Sequence, residues 1–137
     1  MPHLIVEFSA NIEHDIGLDA LLDRLHATAL ATGVFPIGGL RIRAIRMDHY
    51  RIADNHPDNA YVHVTALIGH GRPLAVRQRA GQAIFDTLSE HLDGLFERRP
   101  LAISFNIQEF HPDLNYKRNN LHEYVRRRSG TEPNEDV

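Results

Sequence analysis

The sequence predicts an α+β fold in two layers, with two strand–helix–strand repeats forming a four-stranded mixed sheet that carries two helices on one face. Three observations lead there. Four stretches, beginning near residues 3, 40, 61 and 101, alternate or concentrate apolar residues in the manner of strands. Two stretches between them repeat apolar residues at helical spacing. The order strand, helix, strand occurs twice, offset by roughly 59 residues, and such an internal repeat governs the fold class.

The first strand is carried by the stretch Met1 to Phe8, where Leu4, Val6 and Phe8 are apolar and His3 and Glu7 interrupt the other parity. Ser9 to Gly17 is polar and turn-like. Leu18, Leu21, Leu22, Leu25 and Ala29 then define a helix over Leu18 to Thr32, which Gly33 caps. Pro36, Gly38 and Gly39 form a turn. The second strand is expected over Leu40 to Tyr50. Leu40, Ile42 and Ala44 alternate with Arg41 and Arg43, and the parity change at Ala44-Ile45 predicts a bulge. Asp54 to Asn59 is a loop. Tyr61 to Ile68 is β-branched and aromatic, hence a third strand. After the turn Gly69 to Pro73, a long apolar stripe from Leu74 to Phe96 marks a helix ending near Arg98. Pro100 stops it, and Leu101 to Phe110 is the fourth strand.

Each strand–helix–strand unit makes its two strands parallel, joined by a right-handed crossover. With both helices on one face, the other sheet face needs a cover. Apolar residues on both strand parities predict that further subunits provide it. His111 to Tyr116 is too apolar and too punctuated by proline for a free tail. Leu121 to Arg128 has the pattern of a short helix, with Arg126-Arg127-Arg128 as its solvated, dipole-compatible end. The domain proper is placed at residues 1–125, and residues 126–137 are read as a polar, disordered tail.

Composition removes several classes of function. No stretch approaches the ~20 apolar residues of a membrane span, and no signal peptide opens the chain, so a cytoplasmic protein is expected. The absence of cysteine rules out disulfides, thiol nucleophiles and iron–sulfur clusters. A net charge of −3 argues against nucleic acid as a partner. Ten histidines invite a metal reading, but no HxH or HExxH pair exists. His49, His56, His63 and His70 recur every seven residues across loop and strand, so they share no face. No metal and no cofactor is expected.

Three residues remain for chemistry. Met followed by a small residue is normally trimmed, which would leave Pro2 as a terminal secondary amine at the start of a strand. An α-amine has a pKa of about 7.7–8.0, and both burial and nearby arginines disfavour its protonated form. A lowering of roughly two units corresponds to about 2.7 kcal/mol and brings the base near working pH. Arg41 opens the second strand. Arg72 stands between the third strand and the second helix, where the free N–H groups of a helix start help make an anion site. Arginine grips carboxylates with two parallel hydrogen bonds. Taken singly, each arginine reads more readily as a surface ion pair of little energetic weight. There is no phosphate loop, GxGxxG or GxSxG. Glu7, Glu13 and Glu109 are the alternative carboxylate bases.

Four segments together resemble a known family. They are PHLIVEFS at the start, ATGVFPIGGLRIRA from Ala31 to Ala44, AYVHVTALIGHGR from Ala60 to Arg72, and EFHPDLNYKRNNLH from Glu109 to His122. In that order they resemble the 5-carboxymethyl-2-hydroxymuconate delta-isomerases of the tautomerase superfamily, over Pro2 to about Tyr124. The resemblance implies a cofactor-free homotrimer with its sheets packed at the centre. It implies a small anionic carboxylate substrate, a dienol tricarboxylate from the breakdown of an aromatic compound. Pro2 would move a proton from the 2-hydroxyl to C5, and Arg41 and Arg72 would bind carboxylates. Two other readings stand beside it. One is a tautomerase of another enol acid such as phenylpyruvate. The other is a ferredoxin-like binding module, which as an RNA binder would want exposed aromatics on central strands and a basic face; neither is evident.

Overall fold

The computed structural model describes residues 1–130. Its elements in chain order are β1 (His3–Ser9), a short 3-10 turn (Ala10–Ile12), α1 (Leu18–Ala31), β2 (Arg41–Met47), β3 (Ala60–Ile68), α2 (Leu74–Arg98), β4 (Leu101–Glu109) and α3 (Leu121–Ser129). The sheet order is β2-β1-β3-β4. β1 runs parallel to β2, β3 runs parallel to β4, and the two units meet antiparallel through β1 and β3. The predicted repeat is therefore real, and its two first strands form the middle of the sheet.

One sheet face and both long helices enclose the core. Leu4, Val6 and Phe8 of β1 and Ala60, Val62, Val64, Ala66 and Ile68 of β3 are buried on that face. They pack with Leu21, Leu25 and Ala29 of α1 and with Ala80, Ile84, Leu88, Leu92 and Leu95 of α2. These are the apolar positions that the periods of two and 3.6 place on one side of each element. The helices are also joined by a 2.8 Å hydrogen bond between the Thr28 and Thr87 hydroxyls. Where α1 begins, Gly17 adopts φ +61°, and His91 Nε2–H donates to the carbonyl of Ile16 at 2.8 Å. A side chain at Gly17 would be strained by its backbone and would crowd that imidazole.

The predicted bulge in β2 is absent. The β1–β2 ladder runs without offset from His3↔Arg41 to Ser9↔Met47. The break in alternation arises because Ile45, an apolar residue 43% exposed, occupies the outer face together with Arg41 and Arg43. The strand also stops at Met47, short of the predicted Tyr50. Arg126 to Ser129 belong to α3, which corrects the expectation of a disordered tail from residue 126. Residues 131–137, the rest of that tail, lie outside the described residues.

The outer sheet face is mixed in character. Ile5, Ile45 and Leu67 stand among His3, Glu7, Tyr61, His63 and Thr65, with exposed Ala102, Ser104 and Gln108 on β4. His63 contacts the Ser104 hydroxyl at 2.6 Å and the Thr65 hydroxyl at 3.1 Å. Burial, and then the carboxylate of Glu7, raise the Tyr61 phenol above its ordinary pKa. Among the described residues, no helix is long and apolar enough to cross a membrane, and no group of three or more His, Asp or Glu could hold a metal ion.

Candidate active site

The site forms where β1 starts, because three segments converge there. Pro2 is buried just ahead of β1. The turn after α1 brings the chain back beside it, with Gly39 N–H and Leu40 N–H both donating to the Pro36 carbonyl. Arg41 N–H then donates to the Pro2 carbonyl at 3.1 Å, the hydrogen bond that opens the β1–β2 ladder. A Cβ at Gly39 would stand 3.2 Å from Pro2 Cδ, so glycine permits this close approach. The Arg41 side chain folds over the same turn and donates from Nη1 to the Gly39 carbonyl at 2.6 Å.

The third segment is the arm between β4 and α3. Asn119 Nδ2 donates to the Gly38 carbonyl at 2.8 Å, while its Oδ1 accepts from Leu121 N–H at 2.9 Å. His122 then lies directly on Gly38. A Cβ at Gly38 would collide with His122 Nδ1 and stand 2.7 Å from its Cα. The arm thereby closes a cavity of about 330 Å³ whose wall is Met1, Pro2, Pro36, Gly39, Lys117, Asn119 and His122.

Its electrostatics favour neutral bases and anions. The terminal amine, carried here by Met1, is lowered from its ordinary value of 8.0, first by burial, then by the charge of Lys117, then by that of Arg41. His3, the next residue into β1, is also lowered by burial and then by Arg43, Arg41 and the terminal amine. Arg43 Nη1 lies 2.8 Å from His3 Nδ1. A guanidinium can only donate, so Nδ1 is the acceptor and the imidazole is neutral.

Arg72 is placed differently. β3 runs antiparallel to β1, with His3 opposite Leu67, so the turn after Ile68 brings Arg72 to the same end of the sheet as Pro2 and Arg41. It does not line the Pro2 cavity. Its carbonyl accepts from Arg77 Nε at 3.0 Å, and Arg77 Nη1 pairs with Glu109 at 3.1 Å. Glu109 also accepts from Gly71 N–H at 3.2 Å, which holds the turn in shape. Arg72 itself joins no ion pair among the described residues.

The other carboxylates are committed elsewhere. Glu13 pairs with Arg46 at 2.8 Å, Glu109 with Arg77, and Glu7 lies with Tyr61 on the outer sheet face. None lines the cavity. Sequence reasoning missed Lys117, Asn119 and His122 as site residues. The signals present were the Gly38-Gly39 pair, which marks a close backbone approach, and an Asn-rich segment too apolar to float free.

A terminal amine beside two cations, with neutral groups around it, suits proton transfer on an anion. Known proteins share this chain's sequence pattern and fold. A family model described as 5-carboxymethyl-2-hydroxymuconate isomerase matches residues 2–125. The 5-carboxymethyl-2-hydroxymuconate Delta-isomerase of Escherichia coli is 46% identical over 122 residues, which covers 89% of this chain and 97% of that protein. The crystal structure of a 5-carboxymethyl-2-hydroxymuconate isomerase from Deinococcus radiodurans R1 superposes with a TM-score of 0.85 at 37% identity, covering 91% of this chain and 94% of the other. A fused 4-OT protein, described as a symmetric trimer, shares the fold at a TM-score of 0.61 and 19% identity, over 81% of this chain and 88% of that one. With the family model spanning Pro2 to Val125 and nearly half the residues shared with a full-length relative, the chain belongs to the 5-carboxymethyl-2-hydroxymuconate isomerase family.

Proposed function

We propose that this protein isomerises 5-carboxymethyl-2-hydroxymuconate, a dienol, to its 2-oxo-3-ene form, with Pro2 as the proton carrier. The observation that carries the reading is the position of Pro2: buried, hydrogen-bonded to Arg41, and exposed to the cavity that Met1 and Lys117 also line. Removal of Met1 leaves the proline nitrogen as a secondary amine at that wall. Burial and neighbouring cations, which lower the amine at Met1, act in the same direction on one placed a residue further in.

The neutral amine takes the proton of the 2-hydroxyl and becomes an ammonium. The electron pair released from oxygen makes the 2-oxo group and shifts the double bonds along the diene. C5 then takes the proton back, and the amine is neutral again. Arg41 and Arg72 bind carboxylates at the two sides of this end of the sheet. The arginine nearer the developing 2-oxo group draws negative charge toward itself and lowers the barrier. Arg72 has that role, because the N–H groups that start α2 stand next to it and share the charge.

A homotrimer belongs to the same proposal. The helices cover one face of the sheet only, and Ile5, Ile45 and Leu67 stand on the other. The fused 4-OT neighbour, a symmetric trimer, has the same fold.

The test is the state of the amine. Mass spectrometry of the purified chain should show loss of Met1. Pro2→Ala, which keeps a primary amine, should leave weak turnover of the dienol, and an added residue ahead of Pro2 should abolish it. Full turnover by the extended chain would exclude Pro2 as the base.

A further inference from the structure

The chain holds fifteen lysines and arginines, and a single one of them, Lys117, is lysine. That one lysine lines the Pro2 cavity. The arm that carries it is anchored before and after Lys117: β4 ends in the Phe110 N–H to Ile68 carbonyl bond at 2.9 Å, and Asn119 holds Gly38. The cavity's other polar side chains are already engaged or held. Asn119 spends Nδ2 on Gly38 and Oδ1 on Leu121, and His122 is pressed against Gly38. Beside the cavity, Arg41 has turned its Nη1 to the Gly39 carbonyl. Lys117 has neither a carboxylate partner nor a hydrogen bond among the described residues. Its ammonium is a compact point charge on a flexible stem, able to follow an anion that a planar guanidinium would have to meet in register.

We propose that Lys117 is a specificity-determining residue: its ammonium binds a carboxylate of a polycarboxylate substrate held over Pro2, in addition to those taken by Arg41 and Arg72. The proposal rests on the reading of Pro2 as the base and names what selects the substrate at that site. The family's substrate class fits it, since a carboxymethyl muconate carries three carboxylates and the sheet end then offers three cations. An acid with one carboxylate would leave two of those cations uncompensated, and the site would discriminate against it. The same ammonium is also the foremost charge acting on the terminal amine, so its loss has a second, separable consequence. With one cation fewer, the amine becomes easier to protonate, and the acid limb of kcat/KM moves to higher pH.

The experiment compares wild type, Lys117→Met and Lys117→Arg on two dienols, 5-carboxymethyl-2-hydroxymuconate and 2-hydroxymuconate, which lacks the carboxymethyl arm. Lys117→Met is expected to lose about 10- to 100-fold in kcat/KM on the tricarboxylate, chiefly through KM, and several-fold less on the dicarboxylate. Its acid limb should shift to higher pH with both substrates. Lys117→Arg should restore most of the activity and the pH profile. Equal losses on the two substrates with an unmoved acid limb would reduce Lys117 to a structural residue and overturn the proposal, as would wild-type behaviour of Lys117→Met. If Lys117→Met does not fold, Lys117→Gln carries the same comparison. A chain extended ahead of Pro2, assayed alongside, separates the two readings. Its continued turnover would remove Pro2 as base, whereas its inactivity beside a fully active Lys117→Met would remove Lys117 alone.

Discussion

The backbone N–H of Arg41 donates to the carbonyl of Pro2 at 3.1 Å, so the residue that opens β2 is locked to the start of the chain. Position within a parallel ladder, with His3 opposite Arg41, makes that contact obligatory once β1 and β2 pair. The two arginines proposed to bind substrate are thus held by different means: Arg41 by a strand register, Arg72 by the turn that Glu109 and Arg77 brace.

This difference predicts different kinetics. Arg72→Ala should lower kcat on the dienol tricarboxylate, and Arg41→Ala should mainly raise KM. Each loss should correspond to about 1.5–3 kcal/mol, the range for a hydrogen bond to a charged group. Arg72→Lys keeps the charge without the planar fork and should be impaired, though less than the alanine variant. Steady-state constants at one pH decide it; wild-type values in both alanine variants would make the arginines ordinary surface residues.

Gly38→Ala should detach the arm. A Cβ there meets His122 at its Cα, which is backbone and cannot swing aside. The core under the helices is not involved, so destabilisation should stay near the ~1–3 kcal/mol of a local overpacking. Activity should fall further than stability does, because Lys117 and His122 leave the cavity wall. Thermal unfolding and kcat/KM measured on the same preparation give the comparison; an active, well-folded Gly38→Ala would mean the arm is dispensable.

Sedimentation equilibrium should return three times 15.6 kDa for the wild type. Leu67→Asp puts a charge on the outer face of a central strand without touching the core side. It should yield smaller species, since an unpaired charge buried between sheets is costly. A wild-type monomer at micromolar concentration would contradict the assembly.

Stability should depend on the protonation of His3. Its pKa is lowered from 6.5 in the folded chain, first by burial and then by Arg43. Between the folded and unfolded values the unfolded chain binds more protons, so stability rises with pH across that window. The penalty is complete below the folded value and absent above 6.5. His3→Gln should flatten the dependence of the urea midpoint in the window below pH 6.5. A slope equal to that of wild type would assign the effect to another group.

The sequence by itself determined the repeat, the two-layer class, all four strands, both long helices and three of the residues that meet at the sheet end, Pro2, Arg41 and Arg72. Those features are written in local periods: alternation in β1 and β3, a 3.6-residue stripe in α1 and α2, and a proline placed ahead of a strand. The bulge in β2 was inferred from the same alternation and does not exist, because Ile45 faces outward and an apolar residue on an outer face looks the same in a local pattern as a slip in register. Tertiary structure alone decided that Lys117, Asn119 and His122 reach Pro2. Nothing periodic links the arm to the first strand. The link depends on the absence of a side chain at Gly38, on one hydrogen bond from Asn119, and on β1 being central in the sheet so that the start of the chain and the arm after β4 arrive at the same edge of the core. Contacts of that kind are properties of packed surfaces, and a one-dimensional pattern does not encode which surfaces will meet.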